Sequence, residues 1–247
     1  MDSLSHSLSK NSSHSEDNHR AELLAYHGWG YGAKAWQSWQ DWLRRQHCLF
    51  KPFDRGYFGS PIQPQFSAST TTKLIFAHSY GLHSCPAEIL RQANLLVIFS
   101  SFRQFHPERA NLKKRSQQIL QQMILQFERQ PQTVLQNFRT KCLQPLNESD
   151  EHERIPELIN TELLYQDLCL LDTCLLDLLP LQQIPQIIVL HGTQDRIVSV
   201  ATGKALAEEL AASYFAIEAA GHTLPFTQIT TCQAILQPIL EALQHEV

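Results

Sequence analysis

Short apolar runs recur along the chain at residues 23–26, 48–53, 74–77, 94–101, 186–190 and 214–218. They are near-continuous rather than alternating, the pattern of strands in a parallel sheet covered by helices on both faces. Between them lie segments with apolar residues at three- and four-residue spacing, the period of a helix that buries one face. Residues 35–45 carry Trp36, Trp39 and Leu43 in that spacing, and these side chains are expected in the core. Residues 201–211 and 232–245 read as two further helices. Strands alternating with helices predict an α/β class, with a mostly parallel sheet and right-handed crossovers.

The pattern changes after Phe102. Residues 103–165 contain no strand-like run, and residues 110–129 and 131–143 have helical periodicity. The second of these opens on Pro131, a residue tolerated in the first turn. A leucine-rich stretch over 163–179, with Asp167, Asp172 and Asp177 interleaved, predicts a helix returning to the core and broken by the prolines at 180 and 185. The expected organisation is a core of residues 21–102 and 166–247 with a helical cap insertion at 103–165. Residues 1–20 are rich in Ser, His and Asn and almost free of apolar side chains. They are expected to form a disordered tail and lack the apolar stretch of a signal peptide.

Composition narrows the partners. The chain has 247 residues, 43% of them hydrophobic, enough for one large buried core. The net charge of −4 gives no global signal for nucleic acid. The six cysteines (Cys48, Cys85, Cys142, Cys169, Cys174 and Cys232) form no C-x-x-C pair and read as reduced thiols of a cytoplasmic protein. No apolar run approaches the roughly 20 residues that span a bilayer, so no membrane partner is expected. No His/Cys/Asp cluster has metal-ligand spacing, and no glycine loop carries a nucleotide fingerprint. Neither a metal nor a cofactor is expected.

The candidate chemistry sits where apolar runs end. Residues 74–77 lead into Ala77-His78-Ser79-Tyr80-Gly81, followed by a segment with helical potential. Strand, sharp turn and helix with a serine at the apex is the layout of a nucleophile elbow, where a strained turn lifts the hydroxyl above a sheet. Ala77 stands at the first glycine position of G-x-S-x-G, which needs a small side chain because strand and helix pass close together. The next-to-last run ends in His191-Gly-Thr-Gln-Asp195 and the last in Ala220-Gly-His222. In a parallel sheet these strand ends share one edge. Ser79, Asp195 and His222 are therefore expected to meet there.

Those three residue types suit one chemistry. A serine hydroxyl is a poor nucleophile until a base takes its proton; histidine titrates near neutrality, and an aspartate fixes its tautomer. Asp54, Asp172 and Asp177 are alternative acids, but Asp195 is favoured by its place 27 residues before His222. His78 and His83 flank the serine, and His78 is too close on a sharp turn to act as its base. The first run ends in a freely bending loop, His27-Gly28-Trp29-Gly30-Tyr31-Gly32. The backbone N–H groups of Tyr80 and Trp29 are the expected donors to a developing oxyanion. A non-catalytic binding protein on the same scaffold would not need all of these groups together.

Charge is uneven in the insertion. Positions 103–141 hold eight basic residues (Arg103, Arg109, Lys113, Lys114, Arg115, Arg129, Arg139 and Lys141) against two acids, Glu108 and Glu128. Positions 148–167 reverse this, with seven acids against Arg154. This is either a solvated helix surface or one side of a docking site for an acidic partner.

The segments Tyr26-His-Gly-Trp-Gly30, Ala77-His-Ser-Tyr-Gly81, His191-Gly-Thr-Gln-Asp195 and Ala220-Gly-His-Thr-Leu-Pro-Phe226 together resemble the α/β-hydrolases over residues 21–247. The chain order Ser, Asp, His is also theirs. More narrowly, these segments are similar to the pimeloyl-[acyl-carrier protein] methyl ester carboxylesterases of biotin synthesis. That resemblance implies an α/β-hydrolase fold and hydrolysis of the methyl ester of pimeloyl-acyl carrier protein, with Ser79 attacking and His222 as base. It implies that Trp29 and Tyr80 bind the oxyanion and line the substrate channel. It also places Phe138, Arg139, Thr140, Lys141 and Cys142 along that channel from the cap. The implied partner is a strongly acidic acyl carrier protein, with Arg139 and Arg154 as docking candidates. The chain departs from the family at Ala77, at Leu82 after Gly81, and at Arg55-Gly-Tyr57 where relatives have a proline-glycine pair. A short linker before the elbow strand predicts the loss of one core helix. The alternative is an esterase or carbon–carbon-bond hydrolase acting on a small free substrate, since one scaffold and triad serve many reactions.

Overall fold

A computed structural model describes residues 21–146 and 155–245. The expected tail at 1–20 and the docking candidate Arg154 lie outside the described residues. Six strands, β1 (Ala21–Tyr26), β2 (Cys48–Pro52), β3 (Thr72–His78), β4 (Leu95–Phe99), β5 (Gln186–Gly192) and β6 (Ser213–Ile217), form one parallel sheet. Its order is β2-β1-β3-β4-β5-β6. The register sets Tyr26 opposite Ala77, His78 opposite Phe99, and Phe99 opposite Leu190. The loops that follow β1, β3, β4 and β5 therefore leave the same edge at one level.

The unbroken apolar runs are explained by burial of both faces. Leu74 and Phe76 of β3, Val97 and Phe99 of β4 and Leu190 of β5 point to one face. There they meet Trp36, Trp39 and the helix α8 (Ile229–His245) through Leu236 and Leu240. Ile75, Ala77, Leu96, Ile98 and Val189 point to the other, against α2 (Gly81–Ser84), α3 (Ala87–Leu90) and α7 (Val200–Glu209).

Three helices expected as single pieces are divided or shortened. Residues 35–45 form a 3₁₀ segment, Ala33–Trp39, running into α1 (Gln40–Arg45). A 3₁₀ turn eclipses positions three apart, which lets both Trp36 and Trp39 face Phe76 and Phe99 across the sheet. The segment after the elbow is cut into α2 and α3 because Pro86 forces Cys85 into extended backbone, ψ 121°. The helix predicted over 163–179 is α6 (Thr161–Leu170), capped by the Asn160 side chain accepting from the Leu163 N–H at 3.1 Å. Beyond it, the Leu176 N–H donates to the Arg103 carbonyl at 2.8 Å, so tertiary pairing replaces the helix. The expected core–cap boundary at 165/166 falls inside α6. Between β2 and β3 there is no helix; a lone antiparallel bridge, Asp54 to Ile62, and the packing of Phe66 fill that stretch.

α4 (Ala110–Phe127) and α5 (Pro131–Leu143) stand with α6 over the strand ends. Leu120, Phe127, Val134, Leu135, Leu164 and Leu168 pack there against Trp29, Tyr57, Tyr80, Phe102 and Val198 from the loops. This third apolar cluster lies between helices and sheet edge, and the site is built inside it.

Candidate active site

Ser79 sits at the apex of the β3–α2 turn with φ +53°, left-handed backbone that a side chain adopts only under constraint. Its N–H donates to the Phe99 carbonyl at 2.9 Å, and its carbonyl accepts from Ser101 Oγ at 2.7 Å. Gly81 makes the turn possible: a Cβ there would lie 2.5 Å from the Tyr26 carbonyl oxygen and 2.6 Å from that of His27. Gly28 performs the matching service from the loop after β1, where a Cβ would come within 3.0 Å of the Ser79 Cβ. Both glycines are thus required for close approach of backbone to the serine.

Ser79 Oγ lies 3.0 Å from His222 Nε2, and His222 Nδ1 lies 2.8 Å from Asp195 Oδ2. The carboxylate can only accept, so Nδ1 carries the proton and Nε2 is left to receive the one on Ser79. Asp195 Oδ1 accepts from the N–H groups of Ile197 and Val198, at 2.8 and 2.9 Å. Burial pushes the Asp195 carboxyl up, but the charge and hydrogen bond of His222, with help from His191 and the Ile197 N–H, bring it net below its ordinary value. It therefore stays ionised beside the imidazole. The His222 loop is anchored from the cap, since the N–H and hydroxyl of Thr223 both donate to the Cys142 carbonyl.

Trp29 occupies the second position of a turn closed by the Tyr31 N–H on the Gly28 carbonyl, with Gly30 at φ +73°. Among the described residues the N–H groups of Trp29 and Tyr80 donate to no protein group. Both residues are buried and line a cavity with Ser79. The other lining side chains are apolar, among them Phe102, Phe105, Met123, Phe138 and Ile197. The cavity volume is about 30 Å³, room for roughly two waters.

The remaining expected residues separate. Phe138 reaches the cavity and packs edge-on to Trp29, ring centroids 4.9 Å apart. Thr140 and Lys141 are exposed on the outer face of α5, because one turn of helix cannot point four successive side chains inward. Cys142 is buried but serves through its carbonyl. Arg139 does not present its charge to solvent: it is 6% exposed, with its guanidinium on the Gly30 carbonyl. That corrects its expected docking role. His78 donates from Nε2 to the His222 carbonyl at 3.0 Å and packs on Phe226 and Tyr31. Burial, with His222 beside it, holds it well below the usual histidine range. Asp54 binds the Ala33 and Gly56 N–H groups, and Asp172 pairs with His106, so neither competes with Asp195.

Two groups were given no role from the sequence: His191, quoted only as the start of its motif, and Asp167. His191 lies behind the aspartate, its Nε2 at 3.4 Å from Asp195 Oδ2 and 3.1 Å from the Val198 carbonyl. Asp167 of α6 accepts from Arg55 Nε and Nη2, both at 2.8 Å, and from Tyr57 Oη at 2.6 Å. These contacts join residues more than a hundred positions apart, and no local motif announces such a pair. Among the described residues no group of three His, Cys, Asp or Glu side chains could hold a metal ion. No helix among them is long and apolar enough to cross a membrane.

The parallel sheet, the strand–serine–helix elbow and the cap over the strand ends define the α/β-hydrolase fold. Neither a protein-family model nor a curated protein matches the sequence. The chain is similar to solved structures. A bromoperoxidase from Bacillus anthracis superposes with a TM-score of 0.68 at 14% identity, over 90% of this chain and 92% of that one. The esterase EaEST from Exiguobacterium antarcticum gives 0.68 at 15%, over 90% and 92%. ClbQ from the colibactin NRPS/PKS pathway gives 0.64 at 16%, over 92% and 100%. At these identities the likeness is one of fold.

Proposed function

We propose that this protein is a serine hydrolase of carboxylic esters, and that its substrate is the methyl ester of pimeloyl-acyl carrier protein. The observation that carries the hydrolase reading is the unbroken chain Ser79–His222–Asp195, at 3.0 and 2.8 Å, beside two uncommitted N–H donors. Ser79 Oγ attacks the ester carbonyl carbon as its proton passes to His222 Nε2. The oxyanion forms between the N–H groups of Trp29 and Tyr80. His222 then protonates the departing methoxide, which leaves as methanol. A water, deprotonated by the same nitrogen, attacks the acyl-enzyme and releases the free acid with Ser79 restored. Asp195 stays ionised throughout and stabilises the imidazolium.

The substrate reading rests on the resemblance of the loop motifs, with the cavity in support. An apolar lining suits an uncharged chain end such as a methyl ester and disfavours a free carboxylate, whose burial without a partner is costly. Lys113, Lys114 and Arg115 are exposed on α4 and offer cationic surface to an acidic carrier. The same apolar lining also suits a small free ester, which is the second reading. Restored biotin-independent growth of a bacterium lacking its pimeloyl methyl esterase is the expected result; failure there, with turnover of a short p-nitrophenyl ester intact, would favour the second reading.

A further inference from the structure

The turn that carries one oxyanion donor is held by the cap. Arg139 of α5 donates from Nε and Nη2 to the Gly30 carbonyl, at 3.1 and 2.8 Å. The guanidinium lies over the rings of Tyr31 and Phe58, 5.3 and 5.1 Å from their centroids. Leu135, one turn earlier on α5, rests on the same corner, where a Cβ on Gly30 would meet its side chain at 3.2 Å. From α6, the Leu164 carbonyl accepts the Trp29 indole N–H at 2.8 Å. Trp29 and Gly30 are thus gripped by two cap helices, whereas the core meets the loop on either side of them, through Gly28 against Ser79 and His78 and through Tyr31 against His78 and Phe226.

The geometry points to Arg139 as a positioning residue for the reaction. It fixes the Trp29–Gly30 turn so that the Trp29 N–H is aimed where the oxyanion develops. A complete oxyanion site then exists only while the cap is seated on the turn. The inference rests on the serine-hydrolase reading above. Its physical basis is that such donors act by being aimed before charge develops, with no reorganisation left to do in the transition state. A guanidinium gripping one carbonyl with two N–H groups supplies that rigidity better than any single donor. The role is distinct from docking, because the charge faces inward.

The test uses Arg139→Met, which keeps the stem packed on Tyr31 and Phe58 but removes both donors, and Arg139→Lys, which keeps one. With a short p-nitrophenyl ester, the Met variant is expected to lose about 10- to 100-fold in kcat, with KM changed by no more than about twofold. The Lys variant should fall between. Affinity for a trifluoromethyl ketone, which forms a tetrahedral adduct on Ser79, should drop by the same factor as kcat. The inference is overturned if kcat stays within about twofold of the parent, or if KM alone rises. It is equally overturned if the loss is confined to a carrier-bound ester, which would return Arg139 to docking. Assays are run well below the melting temperature of each variant, and a loss that tracks the unfolded fraction also counts against it. Should the Met variant not fold, unchanged kcat in the Lys variant is the overturning result. Turnover retained by Ser79→Ala would instead sink the hydrolase reading, whatever Arg139 does.

Discussion

At the scale of single residues, the site depends on two positions that need opposite things. Ser79 holds a side chain in left-handed backbone, and Gly81 must have none. Ser79→Ala is expected to lower ester turnover by roughly 10⁴-fold or more while leaving the fold intact, as a circular dichroism melt beside the rate would show. Gly81→Ala is expected to cost about 2–3 kcal/mol, because the added Cβ overlaps two carbonyl oxygens and the backbone around it is packed. The denaturation midpoint measures that. His83 supplies a pH test. Burial, partly offset by its Nε2–H on the Phe102 carbonyl, lowers it to about 4, against about 6.5 in an unfolded chain. The unfolded state therefore binds the proton first. Stability from this group is complete above about 6.5 and is lost as pH falls from there towards 4. Denaturant titrations at pH 7, 5.5 and 4.5 should show the decline, and His83→Gln should make it shallower, with buried His78 contributing the same sign; an unchanged slope would exclude His83 as a contributor. The meeting of Ser79, Asp195 and His222 was legible in the sequence because each follows a strand end. Arg139 was misread because its helix position, not its charge, decides where it points.

At the scale of elements, the six strands could be read from apolar runs because both sheet faces are covered. The helices were less legible where tertiary contacts overrule periodicity. Leucines continue in sequence past Leu170, yet the chain leaves the helix to pair Leu176 with Arg103. α6 is also where the cap is tied to the core. The side chain of Asp167 is buried, and Arg55 is 38% exposed on its own. Asp167→Asn removes the charge that three donors address. It is expected to cost about 2 kcal/mol, below the usual value for a fully buried pair because Arg55 can turn to solvent. A chemical denaturation curve tests this; no change would mean that the amide satisfies Arg55 and Tyr57 equally well.

At the scale of the whole molecule, the cavity and the cap are at odds in size. A space for roughly two waters is small beside an acyl ester, so α4 and α5 are expected to shift when one enters. Amide hydrogen exchange is expected to be faster in these helices than in β3 and β4, and to slow in α5 once a phosphonate is attached to Ser79. Equal protection before and after attachment would argue that the side chains alone make room. None of this was legible in the sequence, since a volume is a property of the assembled cluster. The grip of Arg139 has a further consequence. On the turn its partner is a main-chain oxygen, so on that side the contact is written at one position only. No exchange of residue at position 30 can compensate for a change at 139, whereas a clasp between two side chains could be re-paired. A saturation library across α5 should therefore show a solitary intolerant polar site at 139, with Gln136, Thr140 and Lys141 freely replaceable around it and second-site suppressors arising elsewhere than in its partner.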